Sequence, residues 1–171
     1  DDKLHGVLER YNRYGALTQS EYYNEGELDG DYLEYFSVGK QALSRKLPYS
    51  NNEVDGDVMS YQSDGTLYSK TPFTDGERSG KEYGYYRDGS VYFEAEYQNG
   101  EKHGKYLQYH RNGKVSVEAT AENGKFEGEY KSYYSDGTLK SEETYSRGKE
   151  EGPSKKYDYD GKLYVEFIYR N

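Results

Sequence analysis

Glycine recurs at a fixed interval along this chain, at Gly6, Gly30, Gly56, Gly80, Gly104, Gly128 and Gly152; each step is 24 residues except the one from Gly30 to Gly56, which is two longer. A second comb of glycines follows nine residues behind the first, from Gly15 to Gly161. Between the combs one residue is common to all seven units: Tyr11, Tyr35, Tyr61, Tyr85, Tyr109, Tyr133 and Tyr157. Self-similarity at this period decides the architecture, because so short a unit cannot bury a core alone and has to stack on its neighbours. The chain reads as a single repeat domain over residues 1–171, and such an array offers a long surface more naturally than one catalytic pocket.

The unit from Gly80 to Gly104, GKEYGYYRDGSVYFEAEYQNGEKHG, alternates two short apolar runs with two turn signals. Asp-Gly at 64-65, 88-89, 136-137 and 160-161, with Asn-Gly at 112-113, marks the first turn, and Gly-x-x-x-Gly marks the second. No window holds a helical period, since Gly or Asn-Gly interrupts every one. The predicted fold is all-β: an elongated antiparallel meander of about seven 24-residue β-hairpin repeats forming one twisted or curled sheet.

Side-chain parity tests the register, because a slip of one residue sends every side chain to the other face. A two-residue turn at Asp88-Gly89 pairs Tyr85 with Tyr92 and puts Val91 on the opposite face. A three-residue loop, Arg87-Asp88-Gly89 with Gly89 left-handed, pairs Tyr85 with Val91 and is the consistent choice. It sets Tyr85, Val91, Phe93, Ala95 and Tyr97 on one face, and the Gly100 to Gly104 loop then brings Ala95 opposite Tyr109. The glycines are predicted to supply positive φ, and Asn52, which stands where other units have Gly26 or Gly76, is the residue that best tolerates it.

The opposite face is then predicted to carry Glu94, Glu118, Glu142 and Glu166 in one column, among Tyr32, Phe36, Tyr68, Tyr86, Tyr92, Tyr106, Tyr130, Tyr134 and Tyr164. Tyrosine brings large contact area at low entropy cost, which makes Tyr68, Tyr86, Tyr92, Tyr106, Tyr130 and Tyr134, with Glu94, Glu118 and Glu142, the candidate partner-binding residues. The plainer alternative is that these tyrosines only cover backbone. Departures from the repeat cluster elsewhere. Two extra residues fall between Gly39 and Pro48, Pro48 and Pro72 share a column, and Gly84 stands outside the glycine framework, opposite Pro72 and Tyr92 in this register. Together they predict a weakened or bent patch, either a receptor for a partner or a harmless kink.

With 32% hydrophobic residues and a mean hydropathy of -1.27, composition alone would suggest disorder. The 24 tyrosines in register supply aromatic area that a count of aliphatics misses, so a thin structure is expected. A net charge of -9 argues against nucleic acid and anionic lipid as ligands and favours a basic or cationic protein partner. There is no cysteine, so neither disulfides nor thiolate metal sites enter, and no stretch is apolar and long enough to span a membrane. His5, His103 and His110 share no metal-ligand spacing, and no nucleophile elbow, phosphate-binding loop or paired His/Glu helix motif appears. No catalytic residue, metal ligand or cofactor is therefore assigned, and the chain is not expected to be an enzyme. It starts at Asp1 without a methionine, which predicts a removed leader or upstream segment and favours the cell envelope over the cytoplasm. Leu163 to Tyr169 (LYVEFIY) reads as an apolar edge strand, either pairing with another molecule or capped by residues outside this sequence.

The unit Tyr-x-x-x-Gly-x-Leu-x-x-Glu-x-x-Tyr-x-x-Gly-x-x-x-Gly, seen at Tyr85 to Gly104 with Val91 in the Leu slot and at Tyr133 to Gly152, resembles the second variant of the MORN repeat, typical of the bacterial YwqK-type antitoxin family. The resemblance implies a non-enzymatic β-repeat protein, often encoded beside toxins as an antitoxin or immunity protein. Similar arrays occur in bacterial surface proteins, so a surface or scaffold module is the alternative.

Overall fold

The computed structural model describes residues 3–37 and 41–170, which leaves Gly39 and Lys40 of the insertion outside the described residues. Every regular element is a strand, and every described pairing is antiparallel. The chain divides into two compact units, residues 1–80 with 87–89 and residues 81–86 with 90–171.

The first unit holds β1 (Gly6–Tyr11), β2 (Leu17–Asn24), β3 (Glu27–Leu28), β4 (Gly30–Tyr35), β5 (Leu43–Ser50), β6 (Glu53–Val54), β7 (Gly56–Tyr61), β8 (Leu67–Thr74) and β9 (Glu77–Arg78). The remaining strands are β10 (Gly80–Tyr85), which opens the second unit, then β11 (Val91–Gln98), β12 (Glu101–Tyr109), β13 (Val115–Glu122), β14 (Lys125–Tyr133), β15 (Leu139–Ser146), β16 (Lys149–Tyr157) and β17 (Leu163–Tyr169). From β11 onward each strand pairs with the next in sequence, so the second unit is the predicted hairpin meander.

Two turns alternate, and glycine serves both. In the first, Gly113 at φ 80° donates its N–H to the His110 carbonyl at 2.9 Å, and Tyr109 pairs with Val115. The same closing pair recurs as Tyr11 with Leu17, Tyr35 with Leu43, Tyr61 with Leu67, Tyr133 with Leu139 and Tyr157 with Leu163. The three-residue loop read from the sequence is thus the one formed. The second turn is tighter than Gly-x-x-x-Gly suggests. Asn99 at φ 50° and Gly100 at φ 80° make a two-residue turn of the type that matches strand twist, and Gln98 pairs directly with Glu101. Asn52 has φ 67°, as predicted, and its side-chain oxygen also accepts the Leu28 N–H at 2.8 Å.

The face assignment needs correcting. Tyr109 pairs with Val115, but the next residue inward, Gln108, pairs with Val117, so Ser116 is an extra residue on the outgoing strand. A one-residue bulge reverses parity for the rest of the ladder. Thr18, Ser44, Tyr68, Lys140 and Tyr164 are the extra residues of other repeats. The invariant tyrosines consequently lie on the face of the glutamate column, not with Phe93, Ala95 and Tyr97, and Ala95 is opposite Tyr106 rather than Tyr109.

Pro48 and Pro72 do not end their strands: β5 and β8 run through them, and their carbonyls accept the Asp55 and Ser79 N–H groups at 3.0 and 3.1 Å. β10 likewise runs through Gly84, which is covered by Phe93 rather than by Tyr92. Among the described residues no large side chain is less than 2% exposed. The second unit's buried floor is small instead: Ala95, Ala119 and Ala121 are 1, 3 and 4% exposed.

Candidate functional site

In the second unit, the face that carries the invariant tyrosines is a ladder of paired charges. Tyr109 donates its phenol proton to Glu94 at 2.5 Å, and Tyr157 does the same to Glu142 at 3.0 Å; the Tyr133 phenol is raised by burial and then by the charge of Glu118. Lys81 lies 3.2 Å from Glu94, Lys105 3.0 Å from Glu118, and Lys131, the cross-strand neighbour of both Glu118 and Glu142, 4.0 Å from Glu142. Burial works to raise the Glu94 carboxyl, but the bonds from Tyr109 and Lys81 outweigh it and hold Glu94 below the usual carboxylate range. Burial and the Glu94 carboxylate push the Tyr109 phenol up to about 12. The three candidate glutamates are therefore engaged within the sheet, Glu94 and Glu142 by a lysine and a tyrosine each and Glu118 by Lys105.

The opposite face is aromatic. Reversed parity brings Tyr106 between Ala95 and Ala119, where methyl groups on both sides leave room for its ring, and Tyr130 between Ala119 and Glu143. Contacts then run from ring to ring: Tyr86 to Tyr92 at 5.0 Å between centroids, Tyr92 to Phe93 at 5.8 Å, Phe93 to Tyr106 at 6.5 Å, Tyr106 to Phe126 at 5.4 Å and Phe126 to Tyr130 at 5.4 Å. Tyr145 closes the row, 6.0 Å from Phe126 and 5.3 Å from Tyr130. At its far end Tyr130, Ser132, Lys140, Glu143, Tyr145 and Tyr164 line an open depression of about 420 Å³. Burial, then Glu143 and Glu150, raises the Tyr145 phenol to about 12.

The sequence thus grouped residues that the sheet separates. Tyr86, Tyr92, Tyr106 and Tyr130 belong to the aromatic row, while Glu94, Glu118 and Glu142 belong to the charged face behind it. Tyr86 and Tyr134 also tie repeats together, donating to the Tyr109 and Tyr157 carbonyls at 2.7 and 2.9 Å; His110 holds the equivalent place against Tyr133 at 2.9 Å. Tyr68, in the first unit, is 59% exposed, and Tyr164, at the same bulge position, is 60% exposed. Tyr92 stands at that repeat position too and is 40% exposed. The reading missed Phe126 at the centre of the row, although it is a lone aromatic in a column that elsewhere holds Leu28, Val54, Arg78, Lys102 and Glu150. It also missed Lys81, Lys105 and Lys131, whose role depends on the true register.

The MORN repeat variant model matches residues 78–99, 102–124, 126–147 and 150–171, just over half of the chain. The protein belongs to the MORN repeat variant family. MORN repeats are generally protein- or membrane-interaction repeats and are not typically enzymatic. The four matched MORN repeats lie between β9 and the end of the chain, yet the first unit closes its hairpins with the same Tyr-to-Leu pair and the same bulge. No curated protein sequence matches the chain. Among the described residues, no cluster of His, Asp and Glu is arranged to hold a metal ion, and no helix is long and apolar enough to cross a membrane.

The raised phenols set an alkaline limit. A tyrosine whose folded pKa exceeds its unfolded value near 10 contributes stability that is whole below pH 10 and is lost as pH rises through the folded value. For Tyr109 and Tyr145 that window runs from 10 to about 12. Chemical denaturation across this window should show stability falling, and the double variant Tyr109→Phe, Tyr145→Phe should start lower and fall less. An equal slope in both proteins would contradict the assignment.

Proposed function

We propose that this protein is a non-enzymatic binding module that engages a protein partner through the aromatic face of the second unit, as an antitoxin or immunity protein neutralising a bacterial toxin or secreted effector. The observation that carries the binding face is the contrast between the two sides of one sheet. Behind, carboxylates and ammonium groups satisfy one another; in front, tyrosines stand in a row in which Tyr92 is 40% exposed, and the depression at its end is lined by Tyr164, 60% exposed. Such rings offer contact area whose entropy is already reduced by stacking, a feature of binding hot spots. The net charge of -9 steers the partner toward one with a basic contact surface, such as the cationic site of a nuclease or membrane-active toxin. The antitoxin role itself rests on the resemblance to the YwqK-type family.

The test is capture from the native bacterium followed by co-expression. One stoichiometric partner whose expression alone arrests growth, and which is silenced by the unaltered chain, supports the reading. The double variant Tyr92→Ala, Tyr164→Ala should weaken that complex by about 10-fold or more, as expected for hot-spot truncation, while Glu118→Gln on the charged face leaves it nearly unchanged. A partner that is harmless alone, or envelope material in its place, would refute the antitoxin role. Equal losses in the two variants would refute the face.

A further inference from the structure

Glu143 breaks the pattern of its column. At that repeat position the second unit has Ala95 and Ala119, and the one other glutamate of the column is Glu21 in the first unit. The β1–β2 and β14–β15 hairpins correspond residue by residue. Tyr23 follows Glu21 as Tyr145 follows Glu143, and the cross-strand pair next along is Arg10 with Gln19 in one hairpin and Ser132 with Ser141 in the other. The first hairpin fills its own site. Glu21 is 3% exposed, and its carboxylate accepts from Arg10 Nε at 3.2 Å, from the Tyr23 phenol at 2.7 Å and from the Gln19 amide. A buried carboxylate is thus held by a guanidinium of the same chain, the kind of partner that burial of a charge requires.

The later hairpin keeps the acceptor and lacks those donors. Serine replaces both arginine and glutamine, the Ser132 and Ser141 hydroxyls bond to each other at 2.7 Å, and the space they leave belongs to the open depression of about 420 Å³. Among the described residues Glu143 makes no ion pair with a lysine or arginine, and the Tyr145 phenol reaches it only at 3.5 Å. Its charge is felt there all the same, since burial and then Glu143 raise the phenol of Tyr130, directly across the ladder. Tyr130 stands where the first hairpin has Leu8, and its ring lies 5.3 Å from that of Tyr145. Lys140 and Lys156 line the depression too, with their ammonium groups 5.8 Å from the Tyr134 and Phe167 rings. Arginine over tyrosine is a contact the second unit already makes, with the Arg111 guanidinium carbon 4.7 Å from the Tyr86 ring centre.

We propose that this depression takes one arginine side chain of a protein partner, whose guanidinium donates to Glu143 in the place that Arg10 fills beside Glu21 and lies against the Tyr130 and Tyr145 rings. The assignment rests on the aromatic face being the binding surface. Guanidinium suits the site better than ammonium, because it is planar and weakly hydrated and so can lie on a ring while donating in its own plane. The net charge of -9 draws a basic partner toward the sheet. Lys140 and Lys156 oppose a further cation locally, so the carboxylate and the rings have to outweigh them.

Titration of the unaltered chain with N-acetylarginine methylamide, followed by NMR, tests this. The expected result is saturable shifts at Tyr130, Ser132, Tyr145 and Tyr164, larger than those from the lysine analogue. Glu143→Gln should weaken the probe about 10-fold, as for loss of a charged hydrogen-bond acceptor; Lys156→Gln should tighten it, and Glu118→Gln, the same charge change on the other face, should leave it as it was. Ser132→Arg supplies the chain's own guanidinium, so with its amide spectrum otherwise intact it should no longer bind the probe and should weaken any captured complex. Shifts that never saturate, or equal losses in Glu143→Gln and Glu118→Gln, overturn the proposal. So do reversed signs in the Glu143 and Lys156 variants, which would mean an anionic occupant. A chain that captures a partner but not the probe loses this site alone; one that binds the probe but captures no partner keeps the site and loses the wider reading.

Discussion

Replacing Phe126 with alanine is expected to cost the second unit about 3 kcal/mol, the lower end of the range for truncating a packed phenylalanine, because this ring is half-buried rather than enclosed. Its position sets the size of the loss. Phe126 is the one ring that touches Tyr106, Tyr130 and Tyr145 together, at 5.4, 5.4 and 6.0 Å, and those three tyrosines sit on β12, β14 and β15. Directly across the ladder lies Ala121, so no larger neighbour can fill the vacated space. In a single-layer sheet each strand is stabilised chiefly by its neighbours, and a ring bridging three strands holds more than its own area. Amide exchange should show the loss spread over residues 102–157, while amides of β1 to β8 keep their protection. Phe126→Leu should fall between alanine and the unaltered chain. A destabilisation confined to Phe126's own strand would mean that the row is a chain of surface contacts without a shared load.

What the sequence disclosed and what it hid divide along local and non-local lines. The combs of glycine, the Tyr-to-Leu closing pairs and Asn52 at positive φ are set by turn chemistry within a few residues, and turn chemistry is written in residue type. The bulge is not. Thr18, Ser44, Tyr68, Ser116, Lys140 and Tyr164 share no property that marks them as extra residues, and their position follows from how two strands twist together. One unmarked residue per repeat was enough to move the invariant tyrosines to the wrong face and to merge an aromatic row with a glutamate column that lies behind it. A constant spacing was available as a clue: Glu94 to Tyr109 and Glu142 to Tyr157 are both separated by 15 residues, and both are bonded.

Gly84→Ala is the second large effect expected, and it inverts the usual meaning of a glycine in this chain. The described framework glycines hold positive φ, whereas Gly84 does not; its difficulty is space. A Cβ there would lie 2.2 Å from Cε1 and 2.5 Å from Cδ1 of the Phe93 ring, well inside any tolerable contact. Phe93 occupies a repeat position held by Val117 and Val165, and Gly84 one held by Gln108, Ser132 and Lys156, so the larger ring and the missing side chain are a matched pair. Because Phe93 also meets Tyr92 edge-on and stacks on Tyr106, it cannot turn away without breaking the row. Overpacking of this kind costs about 1 to 3 kcal/mol. The decisive comparison is the double variant Gly84→Ala, Phe93→Val, which restores the pattern of the other repeats. It should be more stable than Gly84→Ala alone, with a coupling of about 1 kcal/mol or more between the two sites. Simple additivity of the two losses would show that Gly84 serves the backbone and not the ring. In that case the glycine would have to be explained by strand bending, as the sequence first suggested, and the Phe93 ring would be free to serve the binding face alone.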